Sequence, residues 1–127
     1  MHWLVDGYNV IRRSHDIAGV EARNGLAAGP QALCNRLANA ARRPQDRFTV
    51  VFEGARGGGQ AHGGVGVSVV FSSDQKPADV VLIERAGSGV TVVSDDRDVA
   101  EGARRAGART LTVAEFTTKI RGGGRRR

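Results

Sequence analysis

The sequence is short of several things that would otherwise carry a fold. It has one cysteine, Cys34, so no internal disulfide can form and packing must hold the chain together. Cys34 sits in a helical pattern between apolar neighbours and has no catalytic partner pattern, which reads as a buried structural thiol. Aromatic residues are scarce, with one Trp, one Tyr and four Phe, so Val, Leu, Ile and Ala must fill the core. No apolar run approaches the ~20 residues a bilayer requires, which argues against a transmembrane span. No basic segment leads into a long apolar stretch at the N-terminus, so no secretory signal is expected and the reading is cytoplasmic. His62 has no second His or Cys at ligand spacing, which argues against zinc. Gly57-Gly58-Gly59 lacks the following Lys-Ser or Lys-Thr of a phosphate loop. No Gly-x-Gly-x-x-Gly opens a helix after the first strand, which disfavours dinucleotide binding.

What is present suits one compact domain of 127 residues with a net charge of +6. Lys119, Arg121, Arg125, Arg126 and Arg127 supply five of those charges, leaving residues 1–116 at +1. Residues 1–120 therefore read as the domain and 121–127 as a flexible basic tail, suited to phosphate contact or to plain solubility.

Apolar β-branched runs predict strands at 2–5, 48–52, 67–71, 90–93 and 109–113. Helical spacing predicts helices at 31–43, 78–86, 97–106 and 114–120, with residues 8–28 read as a polar stretch. Residues 54–66, with seven glycines, predict a mobile loop. Strands alternating with helices imply an α/β fold, a parallel sheet covered on both faces as a three-layer α/β/α sandwich.

In such a sheet, ligands bind beyond the carboxyl ends of the strands. Asp6 follows the first strand, Glu53 the second, and Asp95, Asp96 and Asp98 the fourth. Asp79 opens a helix whose start reaches the same edge. Any one of these reads equally as a helix cap; all of them on one edge point to a shared role. Clustered carboxylates repel one another, and a hard divalent cation such as Mg²⁺ or Mn²⁺ relieves that repulsion. Arg12, Arg13, Arg56, Arg85 and Arg97 lie near this edge as phosphate contacts or as ordinary surface charges. Tyr8 either packs on the sheet edge or stacks on a base.

Residues 4–11, Leu-Val-Asp-Gly-Tyr-Asn-Val-Ile, resemble the opening signature of the NYN branch of the PIN-like nucleases. The similarity to the YacP-like family continues in order through Val50–Gly54, Val69–Ser72, Ala78-Asp79, Ile83–Arg85 and Val92–Arg97. That family includes a ribosome-associated mRNA endonuclease. The resemblance implies strand order 3-2-1-4-5 and a metal-dependent endoribonuclease acting on RNA. It implies Asp6, Asp79, Asp96 and Asp98 as ligands of Mg²⁺ or Mn²⁺, with Asn9 as a polar partner in the catalytic set. Ser94 matches the strand-end hydroxyl that helps fix the site and, with Arg12, Arg13 and Arg97, makes up the expected substrate-contacting set. The roles of Glu53 and Asp95 stay open, since relatives often carry Asp where Glu53 stands. No separate helix glutamate completes the site, because Glu84 lies five positions from Asp79. A non-catalytic RNA- or ribosome-binding module is the competing expectation. A phosphoacceptor receiver domain would need Asp at the end of the third strand and Lys after the fifth, where Phe71-Ser72 and Val113-Ala114 stand.

Overall fold

A computed structural model describes residues 1–25, 28–41, 45–54 and 61–124, without the side chains of Asp16 and of residues 121–124. Five strands carry the architecture: β1 (His2–Asp6), β2 (Arg47–Phe52), β3 (Val67–Phe71), β4 (Val90–Val93) and β5 (Arg109–Leu111). They form one wholly parallel sheet in the order β3-β2-β1-β4-β5. β1 lies at the centre, with Leu4 level with Thr49 of β2 and Val92 of β4.

Side chains alternate across a strand, and the two faces bury different partners. Trp3 and Val5 of β1 face one way. They pack with residues from α1 (Gly7–Arg13), α2 (His15–Asn24), α3 (Ala28–Ala40) and α6 (Val113–Gly124). Leu4, Val51 and Val92 face the other way, onto Val81 and Leu82 of α4 (Ala78–Arg85) and Val99 and Ala103 of α5 (Arg97–Arg105). This is the three-layer sandwich expected from the pattern of elements. The few aromatics concentrate on the first face, where Trp3, Phe48 and Phe116 pack with ring centroids 5.5–6.1 Å apart. Cys34 is fully buried on α3. Burial pushes its thiol pKa up to about 11. Among the described residues no helix is long and apolar enough to cross a membrane.

Several boundaries differ from the sequence reading, among them the end of α3 at Ala40 instead of 43 and of β5 at Leu111 instead of 113. The stretch read as polar holds two helices, α1 and α2. α1 has a helical burial pattern (Gly7, Tyr8, Val10, Ile11) but only seven residues, and α2 buries Ile17 as its only fully buried large apolar side chain. α3 starts at Ala28, not Gln31, because Pro30 is tolerated in a first turn. α6 continues past Ile120 to Gly124, so part of the expected tail is helical; residues 125–127 lie outside the described residues.

The glycine-rich connection expected to be mobile falls into two parts. Residues 55–60 lie outside the described residues. The rest runs down α3. The Gln31 amide donates to the His62 carbonyl and accepts from its N–H, at 3.0 and 2.8 Å. Further along, a Cβ on Gly64 would meet Ala38, and one on Gly66 would meet Ala41. The Phe48 N–H then donates to the Gly66 carbonyl at the start of β2, at the edge of the sheet opposite the strand carboxyl ends.

Phe116 ties α6 to Trp3 and Phe48, so α6 belongs to the core. Phe116→Ala should destabilise the domain by about 3–5 kcal/mol. Urea unfolding followed by circular dichroism checks this; a loss below about 1 kcal/mol would mean that α6 is peripheral.

Candidate active site

Alternation along the strands sets the site. Asp6 comes two residues after Leu4, Glu53 two after Val51, and Ser94 two after Val92. All three thus continue the column that faces α4 and α5, at the point where the apolar core ends. α4 and α5 begin at this same edge and bring Asp79 and Asp96. Asp6, Asn9, Arg12, Glu53, Asp79 and Asp96 line one open cleft of about 220 Å³, with Tyr8, Val51 and Val99 among its walls.

Gly7 allows the close approach of α1 that closes one side. A Cβ there would collide with the Phe52 ring. Tyr8 is buried and packs edge-on against Phe52 with centroids 5.5 Å apart, which is the packing alternative of the two.

A buried hydroxyl organises the acids. Ser94 Oγ donates to Asp6 Oδ2 at 2.8 Å and accepts the Asp96 N–H at 3.0 Å. Asp96 caps α5, its Oδ1 accepting the N–H groups of Asp98 and Val99 at 2.9 and 3.2 Å. Its Oδ2 makes no hydrogen bond or ion pair with the described residues. Burial raises the Asp6 pKa above the ordinary 3.8; the Ser94 bond opposes this, the Asp96 charge adds to it, and Arg12 lowers it. Arg12 Nε also donates to the Tyr8 carbonyl at 3.4 Å.

Asp95 is turned away from the cleft and acts as a strut, a role the sequence left open. Its N–H donates to Asn9 Oδ1 at 2.8 Å, its Oδ1 accepts the Val113 N–H at 2.9 Å, and its Oδ2 lies 3.4 Å from Arg13 Nε. The Asn9 carbonyl oxygen is therefore engaged in joining α1 to the end of β4, while the residue still lines the cleft. At the next turn, Thr112 and Glu115 bond each other's backbone N–H groups, a capping box that starts α6.

The structure does not gather every expected site residue. Asp98 lies in the first turn of α5 and is not among the residues lining the cleft. Arg13, Ser94 and Arg97 line a neighbouring groove that shares Asp96 with the cleft. Glu53, left without a role by the sequence reading, does line the cleft, and its place directly after a buried strand was the available signal. Glu84 pairs with Lys76 at 2.8 Å and is not among the cleft residues. Among the described residues no three His, Cys, Asp or Glu side chains form a ready-made metal-holding group.

The profile of the YacP-like NYN domain family matches residues 3–125. The chain belongs to this family. YacP-like NYN domains are nuclease-like, and this chain is accordingly a nuclease-like domain. Two crystal structures of Rae1 (YacP) from Bacillus subtilis share the fold, each at 21% identity over 98% of this chain. The W164L mutant superposes with a TM-score of 0.77 over 77% of its own length, and the other structure with 0.74 over 76%. A search of curated proteins gave no match.

The raised Asp6 pKa has a definite sign for stability. A carboxyl that holds its proton more tightly when folded costs stability as pH rises from about 3.8 through its raised folded value. In Asp6→Asn that cost disappears, while the amide oxygen can still accept from Ser94. Measured in EDTA, the melting temperature of Asp6→Asn relative to the parent should rise between about pH 3 and pH 7. A difference that is constant across that range, or that falls, would contradict the assignment.

Proposed function

We propose that this domain is a divalent-metal-dependent endoribonuclease that hydrolyses RNA phosphodiester bonds. The observation that carries the proposal is the cleft itself: Asp6 and Asp96 joined through Ser94, with Asp79, Glu53 and Arg12 on the same walls. Four carboxylates against one guanidinium repel a phosphodiester, so RNA needs a cation there.

The residues fit a hard cation. Every acid is an oxygen donor, Asp96 keeps Oδ2 uncommitted, and burial, together with the Asp96 charge, raises the Asp6 pKa, a cost that a bound cation would offset. Mg²⁺ usually keeps several waters and needs only one or two carboxylates, which suits acids that line a cleft without converging. Asp6 and Asp96 would hold the ion, with Asp79 and Glu53 reaching it through water. Bound there, Mg²⁺ or Mn²⁺ would neutralise a phosphate oxygen and make a water more acidic for in-line attack. Arg12 binds and orients the phosphate, and Ser94 keeps Asp6 and Asp96 in register. Asp98, in the first turn of α5 and outside the cleft lining, would act on the ion only through its water shell.

Magnesium- or manganese-dependent cleavage of RNA, abolished by EDTA, is the expected result. Losing an outer partner of a metal site costs about 10–100-fold, so Asp6→Asn should lose at least that. Single-turnover cleavage of a labelled RNA measures it; full activity in Asp6→Asn would remove the carboxylate cleft from the chemistry.

The family resemblance extends the proposal to messenger RNA at the ribosome in the cytoplasm, which co-sedimentation with ribosomes tests. A second reading, a non-catalytic RNA- or ribosome-binding module, draws on one observation: the described acids form no ready-made three-residue cage. Binding without cleavage in either metal would select it.

The basic C-terminal segment has a separable part. Deleting residues 121–127 removes four arginines. RNA affinity should fall and its salt dependence flatten, by a slope of up to about 3 if all four contact single-stranded phosphates. The cleavage rate at saturating RNA should stay near that of the parent. Filter binding at two salt concentrations, with single-turnover cleavage, separates these effects.

A further inference from the structure

Beside the acidic cleft lies a second groove of about 520 Å³, lined by α1, α5, β5, the first turn of α6 and the turns that follow β4 and β5. We infer that this groove is a track for the single strand of RNA that leaves the cleft, held through its phosphates and not through its bases. The inference rests on the proposal that RNA is the substrate, and it adds a place, a set of contacts and a lack of sequence preference.

The lining carries the argument. Arg97, Ala100 and Arg104 fall at i, i+3 and i+7 of α5 and so share one face. The two arginines are separated by roughly 10 Å along the helix axis, with a small residue between them. Arg97 makes no hydrogen bond or ion pair with the described residues. Arg104 spends Nη1 on the Thr110 hydroxyl at 2.9 Å, which steadies the guanidinium and leaves its remaining donors available.

Acids also line the groove, and internal donors hold both oxygens of Asp95 and one each of Asp96 and Glu115. Asp95 is held by the Val113 N–H and Arg13, Glu115 by the Thr112 N–H, and Asp96 Oδ1 by two N–H groups of α5. Arg97 and Arg104 are thus the groove arginines that make no ion pair with the described residues. No aromatic residue lines the groove, so no base-stacking platform is present.

Continuity with the cleft comes from two features. Asp96 stands in the walls of both. Arg12 and Arg13, adjacent in α1, divide between them, Arg12 to the cleft and Arg13 to the groove. A strand seated at the acids therefore meets the arginine face of α5 next. The volume falls in the roughly 300–1,000 Å³ range that takes a drug-sized ligand, enough for one or two nucleotides of single strand and too small for a duplex.

The test is fluorescence anisotropy of fluorescein-labelled dodecauridylate on the full chain in EDTA, where no cleavage intervenes. Arg97→Ala/Arg104→Ala should weaken binding about fivefold. It should also make the salt slope shallower by about 1.4, the release expected for two phosphates of a single strand. Arg105→Ala controls for bulk charge, with one arginine removed instead of two, since Arg105 is an exposed residue of the same helix outside the groove. It should bind like the parent, and dodecaadenylate should bind like dodecauridylate. Parental binding by the double variant, or a loss in Arg105→Ala equal to that of the double variant per arginine removed, overturns the groove even if the parent cleaves RNA. A selective loss in the double variant of a parent that never cleaves RNA supports the groove and removes the nuclease reading alone.

Discussion

One hydroxyl sets the geometry on which the candidate site depends. Ser94 Oγ gives its proton to Asp6 and takes one from the Asp96 backbone, so a single atom fixes the carboxyl ends of β1 and β4 relative to α5. Two carboxylates brought to one cleft repel, and without a tie they would relax apart. At 5% exposure Ser94 acts in a low-dielectric setting where such bonds are strong and hard to replace with water. The cap that starts α5 belongs to the same unit. Asp96 uses one oxygen to begin the helix and presents the other to the cleft, so the helix start and the acid edge are built together.

Much of this was readable in the sequence, for a physical reason. β2 and β4 are buried on both faces, so each appears as a β-branched and apolar run, broken only by a buried Thr, ending in acid or hydroxyl, and strand ends on one edge follow from parallel topology. The two early helices were not readable. α1 is short and follows an Asp-Gly pair that looks like a turn, and α2 owes its place to packing on α3 more than to an apolar stripe of its own. The role of Asp95 was hidden for a different reason. Its bonds reach Asn9, 86 residues away, and Val113, 18 residues away, and no local pattern encodes either. The division of Arg12 from Arg13, and the absence of Asp98 from the cleft lining, are likewise properties of helix phase and packing.

Acid and base are kept apart by structure more than by composition. The cleft gathers carboxylates whose burden is repulsion, whereas in the groove the acids spend themselves on backbone donors and leave arginines to face outward. The strut through Asp95 separates the two. It locks α1, the end of β4 and the start of α6 into one corner, so that neighbouring side chains on α1 can serve opposite sides of it.

The burial of Cys34 has a practical consequence. With its pKa near 11, roughly one thiol in ten thousand is ionised at neutral pH, and that one is shielded by the core. Maleimide and haloacetamide reagents should therefore pass the native protein by. A cysteine placed anywhere on the surface becomes a unique handle, with no need to remove the natural one and disturb the packing of α3. Dyes, spin labels or cross-linkers can be attached to the rim of the cleft one position at a time, in a protein that otherwise keeps its own sequence.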